Sequence, residues 1–111
     1  MKRLGLRCRV LTQNGRTEYK NADGEYHRIG GPAIVYPNGG SQYWFINGIH
    51  TRDDGPATVE ENGNRFWRKN GVLHRENGPA EETRDHRRWY LDGKQYSEQS
   101  FNEEMARRRA Q

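Results

Sequence analysis

One phrase, spoken three times, constrains this chain more than any other feature. The fullest copy runs from Trp67-Arg68-Lys69-Asn70-Gly71 through His74-Arg75-Glu76-Asn77 to Gly78-Pro79-Ala80, and a second runs from Trp44 through Asn47-Gly48 and His50 to Gly55-Pro56-Ala57. A third begins late, at His27-Arg28-Ile29-Gly30-Gly31-Pro32-Ala33, and a last partial copy stops at Trp89-Tyr90-Leu91-Asp92-Gly93. Gly31 to Gly55 is 24 residues, Gly55 to Gly78 is 23, Trp44 to Trp67 is 23 and Trp67 to Trp89 is 22. A period of this length marks stacked supersecondary units, each of which buries its apolar side against the next. The one-residue jitter is expected in turns, where His50 stands five residues before its glycine while His27 and His74 stand four before theirs. Turns absorb insertions that paired strands do not.

The 111 residues predict one domain, with an N-terminal hairpin over 1–22, β repeats over 23–96 and a helix over 97–109. Only 31% of the residues are hydrophobic, so any core is small and must lean on the twelve aromatic side chains, each of which covers a large area. Cys8 stands alone, which excludes an intramolecular disulfide and a Cys-x-x-Cys metal site. The basic start is not followed by an apolar run, so the expectation is a soluble protein of a reducing compartment, the cytoplasm, with no membrane partner. The net charge of +4 is uneven: residues 1–20 hold six Lys or Arg against one Glu.

Leu4, Leu6, Cys8 and Val10 alternate with Gly5, Arg7 and Arg9, which predicts a half-buried antiparallel strand with Cys8 as a small core residue. Asn14-Gly15 suits a type I′ hairpin turn, a second strand follows from Arg16 to Ala22, and Asp23-Gly24 closes it, with Tyr19 in roughly the place of the repeated Trp. Each later unit reads as a short strand, a turn, an aromatic strand, a second turn and an irregular return. The short strands are Ala33–Tyr36, Ala57–Glu60 and Ala80–Thr83, and the aromatic strands are Gln42–Ile46, Arg65–Lys69 and Arg87–Leu91. Between them lie turns at Asn38-Gly39, Asn62-Gly63 and Asp85-His86, then at Asn47-Gly48, Asn70-Gly71 and Asp92-Gly93. The fold class expected is mainly β, an antiparallel meander of repeated hairpins. In Gly-Pro-Ala, the proline pushes the residue before it into an extended conformation that glycine accepts, and the alanine leaves room for a large ring. At the end, Ser97 can cap a helix, Phe101 and Met105 form an i,i+4 apolar pair, and Glu98 early with Arg107, Arg108 and Arg109 late suits the helix dipole.

The His-Arg-x-x-Gly-Pro-Ala phrase after Trp-x-x-Asn-Gly resembles the HREDGPA-type repeat of small proteins of bacteriophages and large DNA viruses, over roughly residues 24–105. It is also distantly similar to the MORN repeat, with one residue more between Trp67 and Asn70 and with Arg75 where that repeat has glycine. The viral resemblance implies a β-repeat fold without defined catalytic residues, carried in a host cytoplasm, and a role such as inhibiting a bacterial defence protein, for example a CRISPR–Cas component.

Motifs of catalysis are missing from the chain: there is no Gly-x-Ser-x-Gly, no phosphate loop and no His-Glu-x-x-His. The neighbouring carboxylates Glu60-Glu61 and Glu81-Glu82 point to opposite faces of a strand and cannot act as a dyad. No enzyme activity, cofactor or metal is expected. His27, His50 and His74 could line one edge as metal ligands, but the favoured reading has each ring bonded to the backbone of its own Gly-Pro-Ala turn. Trp44, Trp67 and Trp89 could stack nucleic-acid bases among Arg65, Arg68, Lys69, Arg87 and Arg88, but recurrence at one register favours a packing role. The residues beside the Trp vary, so Tyr43, Phe45, Phe66, Arg68, Arg88 and Tyr90 are the candidate contacts to a partner protein. The alternative is nucleic-acid binding through Arg3, Arg7 and Arg9 with Arg107, Arg108 and Arg109. The chain is expected as a monomer or an edge-paired dimer.

Overall fold

The structure, a computed structural model, describes residues 9–111, so the expected strand through Leu4, Leu6 and Cys8, with Arg3 and Arg7, lies outside the described residues. Its elements are β1 (Arg9–Gln13), β2 (Arg16–Lys20), β3 (Ile34–Val35), β4 (Gln42–Tyr43), β5 (Phe45–Ile46), β6 (Ile49–His50) and β7 (Thr58–Val59). They continue as β8 (Arg65–Phe66), β9 (Arg68–Lys69), β10 (Val72–Leu73), β11 (Glu81–Glu82), β12 (Arg87–Leu91), β13 (Lys94–Tyr96) and α1 (Glu98–Arg109). Nine strands form one antiparallel sheet in the order β1-β2-β3-β4-β7-β8-β11-β12-β13, and β5–β6 and β9–β10 are separate two-stranded pieces.

The pieces are extensions of that sheet. Trp44 lies between β4 and β5, and Trp67 between β8 and β9, so each aromatic strand runs past its Trp from the main sheet into a hairpin. The Trp amide donates to the alanine carbonyl of the next Gly-Pro-Ala: Trp44 to Ala57 at 2.8 Å and Trp67 to Ala80 at 2.8 Å. The Trp carbonyl accepts from the end of its own hairpin, Trp44 from Thr51 at 3.3 Å and Trp67 from His74 at 3.0 Å. Tyr19 makes the same two bonds, with Ala33 and His27, which establishes it as the first member of the Trp series. Successive hairpins are joined by Arg28, Arg52 and Arg75 amides donating to the Phe45, Arg68 and Tyr90 carbonyls at 3.1, 3.1 and 3.2 Å. The segments between His27, Thr51 or His74 and the following alanine therefore leave the sheet as excursion loops and rejoin it in the same lane.

Type I′ geometry, with positive φ at both central residues, occurs at Asn14-Gly15, Asn38-Gly39, Asn47-Gly48, Asn70-Gly71 and Asp92-Gly93. Asn62-Gly63 and Asp23-Gly24 have only the glycine at positive φ, and Asp85-His86 has neither, its turn being held by Thr83 Oγ1 accepting from the Asp85 and His86 amides. The jitter in period resides in the first turns. Six residues separate paired Val35 and Gln42, five separate Val59 and Arg65, and four separate Glu82 and Arg87. His50 is therefore not a shifted copy of His27: Thr51 holds the equivalent position, and His50 corresponds to Tyr26 and Leu73.

Ala33, Ala57 and Ala80 are fully buried. The largest apolar cluster is at the end of the stack, where Phe101 and Met105 of α1 pack on Leu91 with Trp89 and Tyr96. Ser97 caps the helix, its Oγ accepting from the Ser100 amide at 3.1 Å. The last unit has no following Gly-Pro-Ala, and α1 covers what an excursion loop covers elsewhere, as terminal caps do in repeat stacks. At the other end, Val10 and Leu11 are 55% and 48% exposed, so Val10 is not on a buried face as the alternation predicted. The molecule is a slab of 50 × 33 × 17 Å with a radius of gyration of 16.3 Å, against about 13 Å for a compact chain of ~100 residues.

Candidate binding face

Residues directly opposite each other in a sheet share a face and alternate along each strand, so the register divides the side chains into two sets. One face carries Tyr19, Trp44, Trp67 and Trp89. The other carries an unbroken row through Leu11, Glu18, Ile34, Tyr43, Thr58, Phe66, Glu81 and Arg88.

The Trp face is covered by the excursion loops. Each loop's arginine lies over the preceding ring, Arg28 over Tyr19 at 4.0 Å, Arg52 over Trp44 at 3.9 Å and Arg75 over Trp67 at 3.7 Å. Each also donates from Nη1 to the carbonyl of its own proline, Pro32, Pro56 or Pro79, at 3.1–3.2 Å. The glycine of Gly-Pro-Ala is there for space: a Cβ at Gly31, Gly55 or Gly78 would stand 3.0, 2.7 or 3.3 Å from that guanidinium carbon. Each ring thus has a face occupied by its own chain, and the Trp residues are half-buried packing residues. Gly55→Ala is expected to cost about 1–3 kcal/mol, because the guanidinium must give up a cation–π contact and a hydrogen bond. Gly78→Ala, with more room, should be close to neutral, the lost contact being offset by about 0.4–1 kcal/mol of reduced unfolded-state freedom. Thermal unfolding of the two variants measures the difference, and equal midpoints would contradict the packing role.

On the opposite face the ring contacts run between side chains of the sheet and its hairpins. Tyr43 packs edge-on to Tyr36 with centroids 6.2 Å apart, Phe45 stacks on His50 at 4.6 Å, and Tyr26 lies 5.4 Å from Phe45. Ile34, opposite Tyr43, and Thr58, between Tyr43 and Phe66, are buried. The polar groups of this face are mostly paired. Glu18 holds Arg16 and Lys20, Arg16 also donates to the Tyr36 hydroxyl at 2.6 Å, and Glu81 holds His86 at 3.1 Å and Arg88 at 3.6 Å. Glu82, beside Glu81, points to the Trp face and meets Arg75 at 3.5 Å, so adjacent carboxylates diverge as strand alternation requires.

All six candidate contacts occupy this open face. Tyr43, Phe66 and Arg88 belong to the continuous row, and Phe45, Arg68 and Tyr90 are the equivalent residues two positions on, whose carbonyls accept the three arginine amides. Arg68 and Arg88 therefore do not flank the Trp rings. Sequence reasoning missed Tyr26, Tyr36 and His50 as members of the face; counting alternation outward from Tyr19 and Trp44 across each turn is the signal that finds them. Of the basic alternative, Arg107 and Arg108 are tied to Glu104, whose carboxyl they hold below the usual carboxylate range, while Arg109 is exposed.

The histidines divide by register. His27 Nδ1 accepts from the Asn47 amide at 2.9 Å and His74 Nδ1 from the Asp92 amide at 2.8 Å, each bracing the turn of the next hairpin. Thr51 Oγ1 does the same for the Asn70 amide at 3.0 Å. His50 bonds its own Gly-Pro-Ala, with Nε2 3.0 Å from the Ala57 carbonyl, to which it donates, and 2.8 Å from Thr58 Oγ1. The expectation of one shared role for three histidines is thus corrected. Burial, and secondarily the nearby Arg68, push the His50 pKa below its ordinary value, while the Ala57 bond opposes. Arg16, and less strongly Lys20, hold the Glu18 carboxyl below the usual range against the effect of its burial.

Both shifts make the unfolded state bind more protons as pH falls, so stability is complete above about 6.5, the ordinary histidine value, and declines below it. The His50 contribution is lost as pH drops from ~6.5 toward its folded value, and that of Glu18 only below ~4.3. Thermal midpoints measured against pH should show both declines, and His50→Gln should abolish the upper one; an unchanged upper limb in that variant would contradict the assignment.

No protein-family model matches the chain, and no curated protein or solved structure is significantly similar to it. Function is therefore argued from the face itself. No helix among the described residues is long and apolar enough to cross a membrane.

Proposed function

We propose that the chain is a non-catalytic protein-binding module whose open, aromatic sheet face is the docking surface. The observation that carries this reading is the asymmetry of the slab: loops and α1 cover the Trp face, whereas Tyr43, Phe45, Phe66, Arg68, Arg88 and Tyr90 gather on the other. Aromatic and arginine side chains grouped at the centre of a patch are the residue types on which interface energy concentrates. With the resemblance to viral repeat proteins, the partner we propose is a host protein, such as a component of bacterial defence, blocked sterically.

Salt separates this reading from phosphate binding, which weakens steeply as salt rises. The immobilised full chain should retain a host protein through a high-salt wash, and Phe66→Ala or Tyr90→Ala should release it while Lys69→Ala on the Trp face does not. Retention that is insensitive to both aromatic variants, or a nucleic acid held tightly at about 0.15 M salt, where non-specific binders show Kd of roughly 10⁻⁴–10⁻⁶ M, would overturn it.

A further inference from the structure

We infer that Arg68 is a carboxylate receptor at the centre of the open face, so that the partner presents an aspartate or glutamate beside apolar side chains. This inference rests on the docking role of that face and specifies the chemistry of its occupant.

Arg68 stands apart from the other basic residues around it. Arg16 and Lys20 share the Glu18 carboxylate, and Arg88 lies 3.6 Å from that of Glu81. Among the described residues no carboxylate pairs with Arg68, and its Nε is buried without a hydrogen-bond partner. The Nε lies beneath the surface, so the donors left to an incoming group are the outer Nη1 and Nη2, which are not among the buried unpaired atoms. The surroundings are apolar or neutral: Leu73 is its cross-strand partner, Phe66 is two residues away on the same face, and His50, stacked on Phe45, lies close enough for the two positive charges to disfavour one another. The paired Nη groups of an arginine among apolar side chains match a carboxylate in geometry and charge, and both can donate at once.

Charge complementarity also chooses the source of the anion. A nucleic-acid backbone presents a phosphate at every nucleotide and is met by a series of free cations. On this face each neighbouring cation already has a carboxylate within 3.6 Å, so Arg68 is the one without such a partner among them, and a single anionic contact set among rings is what a protein surface supplies.

The test uses the full chain and two blocked dipeptides, acetyl-Phe-Glu-amide and acetyl-Phe-Gln-amide, followed through the Arg68 Nε–H resonance. The glutamate peptide should move that resonance saturably and bind about tenfold more tightly than its glutamine twin, the ratio expected when one charge-assisted pair is made. Arg68→Gln should erase the difference, Arg68→Lys should keep only part of it, and Lys69→Gln, on the Trp face, should leave it intact, each variant first shown to unfold at a midpoint near that of the parent. Equal binding of the two peptides, or discrimination that survives Arg68→Gln, would remove the carboxylate site. Stronger perturbation of the same resonance by a short single-stranded oligothymidylate at about 0.15 M salt would reassign it to phosphate. If the dipeptides do not discriminate while Phe66→Ala still releases the retained host protein, the docking face stands and only its anion is lost.

Discussion

Trp67→Ala is expected to lower stability by about 3 kcal/mol, the lower end of the range for truncating a large aromatic residue, because the ring is half-buried. Two effects combine. The ring stands beside Ala80, which is fully buried and whose carbonyl accepts from the Trp67 amide, so packing there is lost. Arg75 loses the ring 3.7 Å beneath it, and with that the restraint on the loop from Glu76 to Pro79. Arg68→Ala, one residue away and pointing to the other face, should leave stability unchanged or raise it, since it removes a buried Nε that has no partner. For a domain of this size a loss of ~3 kcal/mol lowers the thermal midpoint by roughly 10–20 °C, so calorimetry separates the two variants easily. Equal midpoints would mean that the Trp series is not a packing ladder.

Leu91→Ala should have an effect of similar size for a different reason. Leu91 is 1% exposed and joins the last long strand to Phe101 and Met105 of α1. Removing a buried leucine costs about 2–5 kcal/mol, more when neighbours cannot collapse into the space. Here the helix is the neighbour: two side chains hold it, and most of its remaining surface is polar and exposed. The variant is therefore expected to undock α1 before the sheet unfolds, seen as a loss of helical circular dichroism at a lower temperature than the loss of tertiary fluorescence. A single coincident transition at the parental midpoint would contradict the capping role of the helix.

The parts of this fold that were legible in the sequence are those set by local chemistry. Asn-Gly and Asp-Gly pairs marked turns because few other dipeptides accept positive φ twice in succession, and five of them do so here. Ser97, Phe101 and Met105 marked the helix through its cap and its apolar spacing. What remained hidden depended on which groups meet across lanes. The glycine before each proline looked like a conformational requirement and is a spatial one, visible only once Arg28, Arg52 and Arg75 are seen to occupy the room. Thr51 escaped notice because a hydroxyl and an imidazole nitrogen accept the same amide bond while sharing no resemblance as letters. His50 consequently looked like the missing copy.

The candidate site was legible to the same extent. Alternation alone placed residues on either side of Trp44 or Trp67 on the face away from it, and the structure gathers all six on one surface. Which face is covered did not follow, because it depends on the excursion loops, whose arginines lie over the rings only in the folded arrangement. The unpaired state of Arg68 was equally invisible: Arg88 has the same look in sequence, and only the register with Glu81 reveals that one is neutralised and the other is not.

If the covered face stabilises and the open face binds, as proposed, one paired measurement separates the two roles. Thermal midpoint and retention of the proposed partner protein would be determined side by side for Arg75→Ala and Tyr90→Ala. Arg75→Ala is expected to lower the midpoint and leave retention by the folded protein unchanged, while Tyr90→Ala is expected to abolish retention with a smaller change in midpoint. The reverse pattern, with binding lost at Arg75 and kept at Tyr90, would contradict it.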